Sequence, residues 1–218
     1  MLKQWGGFLL DLLFPPRCPI CRGGVSMHGA WCETCLSAAW APRWLDLACH
    51  GLTALDDCYT LCNYTAGIQR LIRSMKFRRE RRYGRHITWL LNQAQLDCLG
   101  SFAGVIPVPL SAERLAARGY NQTEVMFRPW AQSRGFIWHD ALVRIKTTAP
   151  QWELTLGQRR SNIKGAFAVT RHTDLKGKHV LLVDDIFTTG TTMDECSRVL
   201  KQAGSSRVTG LVIASGAK

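Results

Sequence analysis

Residues 180–192 read VLLVDDIFTTGTT, and this stretch decides the fold. Four apolar residues, Val180 to Val183, come without polar alternation, as in a strand buried on both faces of a parallel sheet. Two adjacent carboxylates follow, Asp184 and Asp185. After Ile186 and Phe187 come five small residues, Thr188, Thr189, Gly190, Thr191 and Thr192, where such a strand hands over to a helix. Gly190 admits backbone conformations closed to other residues, so successive N–H groups can converge, and a helix N-terminus adds the positive end of its dipole. A turn of this kind holds a phosphate. The carboxylates before it can accept hydrogen bonds from neighbouring sugar hydroxyls. A phosphorylated sugar satisfies both halves of the motif. The plainer reading is a buried strand with an acidic end and an ordinary helix cap. A P-loop is excluded, because no Gly-Lys-Ser/Thr closes the turn.

Outward from this strand, the pattern alternates. A helix is expected over Gly67–Phe77 and another over Arg82–Leu99. A buried strand follows at Gly104–Val108, its end marked by Pro107 and Pro109. Ser111 is placed to cap a short helix over Glu113–Ala117, and Thr123–Arg134 reads as a helix stopped by Gly135. Ala141–Arg144 reads as a short strand, and Ala149–Gly165 is polar and basic without a period. The central strand, His179–Val183, is followed by a helix over Met193–Ala203 and a last strand over Val208–Ala214. Strands alternating with helices predict parallel β-α-β units with helices on both faces, and a ligand site outside the carboxyl ends of the strands. Residues 17–62 read as loop-rich connector.

That connector carries a separate signal. Cys18, Cys21, Cys32 and Cys35 form two C-x2-C pairs ten residues apart. Four thiolates so spaced predict a closed tetrahedral site for structural Zn2+, with an iron–sulfur cluster as the rival. The other five cysteines are Cys49, Cys58, Cys62, Cys98 and Cys196. The odd total of nine argues against a full disulfide framework and for a reducing, cytoplasmic setting. Cys58 and Cys62, with Cys49 and His50 upstream, leave a second metal site open.

These residues together resemble a known family. VLLVDDIFTTGTT resembles the phosphoribosyl-pyrophosphate (PRPP) signature of type I phosphoribosyltransferases. With the cysteine-rich N-terminus, the chain is similar to the bacterial ComF/GntX family. Further matches are LIRSMKF at 71–77, VIPVPL at 105–110, RGYNQ at 118–122 and QRRSNIKGAF at 158–167, in the family's order. One departure is that many members carry more C-x2-C pairs after the first ribbon. The resemblance implies an α/β fold: a type I phosphoribosyltransferase-like parallel sheet flanked by helices, with an N-terminal zinc-ribbon-like small domain. Residues 1–62 would form the ribbon with its helix and connector, and 63–218 the transferase-like domain, whose core is expected not to depend on the ribbon.

By resemblance, Asp184 and Asp185 receive the ribose hydroxyls and Thr188 to Thr192 cradle the 5′-phosphate. Pro109, Leu110 and Ser111 begin a loop towards pyrophosphate. Arg118, Asn121 and Gln122 then follow within reach of a phosphate or a base edge, unless they merely make a turn and cap. Lys146 to Lys164, with Arg159 and Arg160, matches the hood loop that closes over pyrophosphate. Mg2+ accompanies PRPP in such chemistry, which needs positioning and charge stabilisation and no protein nucleophile. The motif therefore reports PRPP or nucleotide binding better than turnover, and the family points to DNA uptake or the use of external DNA as nutrient.

Charge and hydropathy bound the rest. At 218 residues and 46% hydrophobic, the chain is not wholesale disordered. No run of 18 apolar residues predicts a membrane span. WGGFLLDLLF at 5–14 superficially resembles a signal peptide, yet Asp11 interrupts it and Pro15-Pro16-Arg17 follows. It reads as a short helix packing on the ribbon or the main domain. The formal charge of +12 is concentrated: Arg70, Arg73, Lys76, Arg78, Arg79, Arg81, Arg82 and Arg85 fall within sixteen residues, opposed only by Glu80. Arg78, Arg79, Arg81 and Arg82 are candidates for single-stranded DNA contact, interleaved with Phe77 and Tyr83. A solvated face, or attraction of PRPP itself, explains the same cluster. DNA-uptake machinery is the partner that the resemblance implies.

Overall fold

The computed structural model describes residues 12–146, 162–170 and 173–217. The elements run α1 (Glu33–Ala39), β1 (Trp40–Trp44), β2 (Asp57–Asn63), α2 (Ala66–Phe77), α3 (Gly84–Gln93), β3 (Val105–Pro107), α4 (Ala112–Arg118), α5 (Gln122–Ser133), β4 (Leu142–Arg144), β5 (Phe167–Val169), β6 (His179–Phe187), α6 (Thr191–Gln202) and β7 (Arg207–Ser215). The main sheet has the order β1-β2-β7-β6-β3. Its four inner and far strands pair in parallel, and β1 closes one edge antiparallel to β2. β4 and β5 form a separate antiparallel ribbon.

The sheet is covered on both faces, which is why its strands are continuously apolar. Val180, Leu181, Leu182 and Val183 are all fully buried. Leu181 and Val183 pack with Ile68, Leu71, Ile72 and Met75 of α2, Leu90 of α3 and Phe127 of α5. Val180 and Leu182 face the other way, against Cys196 and Leu200 of α6 and Phe167 of β5. Each such side chain contributes about 1.5–3 kcal/mol through burial.

The expected helices at 67–77 and 123–134 and the strands at 104–108, 141–144 and 208–214 are present, with ends moved by a residue or two. Ser111 does cap α4, its hydroxyl accepting from the Arg114 amide at 3.4 Å. Three expectations fail. β6 does not stop at Val183 but runs through both acids to Phe187, because β7 continues to pair with it as far as Phe187↔Ser215. The helix expected over 82–99 is regular only from Gly84 to Gln93, with short 3-10 turns on either side. The segment read as connector contributes β1 and β2 to the main sheet.

The ribbon is not independent of the core of the main sheet. Trp31 is 5% exposed and sits in the same apolar cluster as α2 and α3. Its indole Nε1 donates to His86 O at 3.1 Å, and His86 Nδ1 donates to Gly29 O at 2.9 Å. Arg22 donates to the Tyr83 hydroxyl at 3.1 Å. At Gly67, in the first turn of α2, a Cβ would stand 3.1 Å from Ile20 Cδ1, so the missing side chain lets the ribbon close on the helix. Leu12, Leu13 and Phe14, expected to pack, are exposed, and residues 1–11 lie outside the described residues.

Candidate functional site

The metal centre is local. The Sγ atoms of Cys18, Cys21, Cys32 and Cys35 lie within 4.8 Å of one another, and those of Cys21 and Cys32 are 3.6 Å apart. A tetrahedral zinc site with ~2.3 Å bonds separates its sulfurs by roughly 3.8 Å, so the four thiols fit the ion. Burial opposes ionisation of Cys18, but amides of Cys32, Cys21 and Ile20 outweigh it and lower its thiol to about 7. Cys35 is pushed up to about 12 by burial and by the crowding of the other three sulfurs. Four sulfurs this close need a cation to be held as thiolates. Cys58 and Cys62 are buried in different cores, and Cys49 donates to Asp46 at 2.9 Å, so these three are not gathered into a second site.

The acid pair sits near the C-terminal end of β6. Asp185 is 3% exposed. Lys76, from the last turn of α2, brings Nζ to 2.9 Å from Oδ1 and 2.8 Å from Oδ2 of Asp185. Gln122 Nε2 donates to Oδ2 at 3.0 Å, and Arg118 donates to Gln122 Oε1. The site is held from behind, since Arg118 Nε donates to Lys76 O at 3.0 Å and the Tyr120 hydroxyl to Met75 O at 2.7 Å. Burial lowers the Arg118 guanidinium, with the Asp185 charge opposing. Asp184 is half-buried. Its Oδ1 accepts from the Asp185 amide at 2.8 Å and from the Thr123 hydroxyl at 3.3 Å. Among the described residues no hydrogen bond reaches Asp184 Oδ2. Burial first, and then the charge of Asp185, raises the Asp184 carboxyl well above its ordinary value.

The loop after the acids carries Thr188, which is exposed, then Thr189, then Gly190 as the N-cap of α6 with φ +71°. A Cβ at Gly190 would stand 2.3 Å from Leu52 Cδ1 and 2.5 Å from Phe187 Cζ, so only glycine fits. Thr189 and Thr191 hydroxyls are 3.2 Å apart, and Thr192 follows in the first turn. Asp194, one turn in, accepts from the amides of Thr53, Ala54 and Leu55 at 3.1, 2.8 and 3.0 Å. It thereby fixes the 50s loop against the phosphate-type turn.

Asn121 is the N-cap of α5: its Oδ1 accepts from Thr123 N at 3.0 Å, and its Nδ2 donates to Val108 O at 3.3 Å. Arg159 and Arg160 lie outside the described residues. The C-terminal end of that segment is tied to α6, since Gly165 N donates to Glu195 at 2.6 Å. Arg78, Arg79, Arg81 and Arg82 are exposed around the end of α2. Arg79 donates to Ala117 O at 2.6 Å, and Arg82 pairs with Glu80 at 2.7 Å. Phe77 is 69% exposed. In sequence this cluster lies far from the acids, yet Lys76 belongs to both. Lys76, Thr123 and Asp194 are not among the site residues that the sequence marks, although Lys76 lies within the motif LIRSMKF.

The resemblance implies magnesium, and a bare divalent ion does not fit Asp185. Both oxygens of Asp185 are taken by Lys76 and Gln122, and one oxygen of Asp184 by Thr123 and an amide.

The phosphoribosyl transferase domain family matches residues 137–218, and the double zinc ribbon domain family matches residues 9–54. The chain therefore carries a phosphoribosyltransferase domain preceded by a zinc ribbon, on a mixed α/β fold with a mostly parallel sheet. The DNA utilization protein YhgH of Salmonella typhi is 29% identical over 199 residues, covering 88% of this chain and 80% of that protein. YhgH of Escherichia coli O157:H7 is 27% identical over 219 residues, covering 90% and 96%. Competence protein F of Haemophilus influenzae is 27% identical over 202 residues, covering 88% and 82%. The chain is similar to these competence and DNA utilization proteins over most of its length, as its ComF/GntX resemblance implied. No described helix is long and apolar enough to cross a membrane.

Proposed function

We propose that this chain binds a 5-phosphoribosyl compound, PRPP with its magnesium or a nucleotide, and acts in the cytoplasm in the uptake of DNA or the use of external DNA. One observation carries the reading: an acid pair at the end of β6 stands directly before a glycine-capped turn into α6. In this reading Asp184 receives a ribose hydroxyl, the amides and hydroxyls of Thr188 to Thr192 take the 5′-phosphate, and Arg118 with Gln122 braces the pair. Arg159 and Arg160 would neutralise pyrophosphate from the hood. The relatives' names supply the DNA context, and the exposed arginines after α2 supply a surface for single strands or for the uptake machinery. Nine unpaired cysteines, four of them gathered for Zn2+, suit a reducing compartment. The metal-binding unit of Cys18 to Cys35 lies ahead of β1 and β2, which belong with the sheet of the ligand-binding unit.

The test is calorimetry of the full chain with PRPP and Mg2+, and with nucleoside monophosphates, followed by product analysis with a panel of bases. Saturable binding of either ligand class is expected. A well-folded protein that binds neither refutes the reading. Release of pyrophosphate with a base would make it a transferase.

A further inference from the structure

The acid pair contains its own cation. The Lys76 ammonium contacts both oxygens of Asp185, at 2.9 and 2.8 Å, and its side chain is only 24% exposed. The backbone that presents it is fixed by Arg118 and Tyr120, so the ammonium is not swinging on a loose helix end. Gln122 occupies the remaining approach to Oδ2. Magnesium requires several oxygens at ~2.0–2.1 Å in near-octahedral array, and on Asp185 that place is filled.

We infer that Lys76 is the resident cation of the acid pair: it occupies both oxygens of Asp185 and excludes a free divalent ion from that carboxylate, so that the acid pair by itself does not recruit metal. The inference rests on the phosphoribosyl reading of the site. It makes Lys76 a positioning residue that decides which ligands need metal. A ligand with a diphosphate brings its own ion. A nucleoside monophosphate binds with none.

The experiment titrates Mn2+ into the zinc-loaded full chain, without any phosphoribosyl compound, and follows free Mn2+ by electron paramagnetic resonance. The wild type is expected to leave the signal of millimolar Mn2+ unchanged. Lys76→Gln uncovers Asp185 and is expected to bind Mn2+ at least about tenfold more tightly, and adding Asp185→Asn abolishes that gain. Lys76→Arg keeps the charge and behaves as wild type. Tight Mn2+ binding by the wild type that is lost in Asp185→Asn overturns the inference, whether or not any Lys76 variant folds. A folded Lys76→Gln protein with wild-type Mn2+ affinity overturns it too. A nucleoside monophosphate is then titrated with and without Mg2+. Equal affinity supports the inference, and a strict Mg2+ requirement in the wild type overturns it. Failure to bind in both buffers counts against the phosphoribosyl reading alone, because the Mn2+ result needs no such ligand.

Discussion

Asp184→Asn is expected to make the ligand-free protein more stable while weakening its binding. The Asp184 carboxyl is raised from 3.8 to about 7 by burial and by the charge of Asp185, with Lys76, the Asp185 amide and Thr123 opposing. An acid whose folded value is raised gives stability that is complete below its unfolded value and lost as pH rises through the folded one. The shift of about three units corresponds to roughly 4 kcal/mol at most, since each unit is worth ~1.4 kcal/mol. Asparagine is neutral throughout and keeps an oxygen for the Thr123 hydroxyl and the Asp185 amide. The variant should therefore match wild type near pH 4 and exceed it by about 2–4 kcal/mol at pH 8. For a chain of this size that is roughly 5–15 °C in Tm. Buried His86, its pKa lowered chiefly by burial, titrates with the opposite slope, so the difference between variant and wild type is the quantity to read. Thermal melts from pH 4 to 8 measure it, and calorimetry should show PRPP affinity reduced by about 1.5–3 kcal/mol, or ten- to a hundredfold and more. A variant less stable than wild type at pH 8, or a difference that does not change with pH, would refute the reasoning.

Two further outcomes follow from the metal centre and the basic cluster. The purified protein should hold one zinc ion, and Cys32→Ser should release it. Because Trp31 and Ile20 pack on the core of α2 and α3, that variant should lower the melting temperature of the whole chain, and proteolysis confined to the ribbon with an unchanged melt would contradict this. Arg78, Arg79 and Arg82 changed together to Glu should weaken single-stranded DNA binding and flatten its salt dependence, measured by fluorescence anisotropy across ionic strength. Retained DNA binding with lost PRPP binding would assign the cluster to the ligand site, which Lys76 and the Arg79–Ala117 contact already adjoin.

β6 and its turn were legible because the whole signal is contiguous: a strand buried on both faces needs no polar alternation, and the acids and Gly190 follow at once. β2 was hidden by its cysteines. Cys58 and Cys62 read as metal spacing, whereas they are small apolar residues within a buried strand. β1 was hidden by Pro42, which an edge strand tolerates and a central strand does not. The partner of Asp185 was illegible for another reason. Lys76 lies 109 residues away within a basic run, where charge density alone suggests a solvated surface. The Asp194 clamp on residues 53–55 spans a similar distance and leaves no local trace, since an Asp in the first turn of a helix already has a reason to be there.

The pairing of β2 with β7 has a consequence for how the chain comes to be folded. The two strands are joined by main-chain bonds and by the Arg207–Asp57 ion pair, across 150 residues of sequence. During synthesis β2 therefore emerges long before its partner, presenting an unpaired edge and the apolar faces of Leu61 and Cys58. Parallel, non-local pairing of this kind is slow to form and exposed to aggregation until the last strand is made. The ribbon is the opposite case. Its four thiols lie within eighteen residues, so it can load metal while the rest of the chain is still nascent, and Trp31 is then already in place when α3 arrives to cover it.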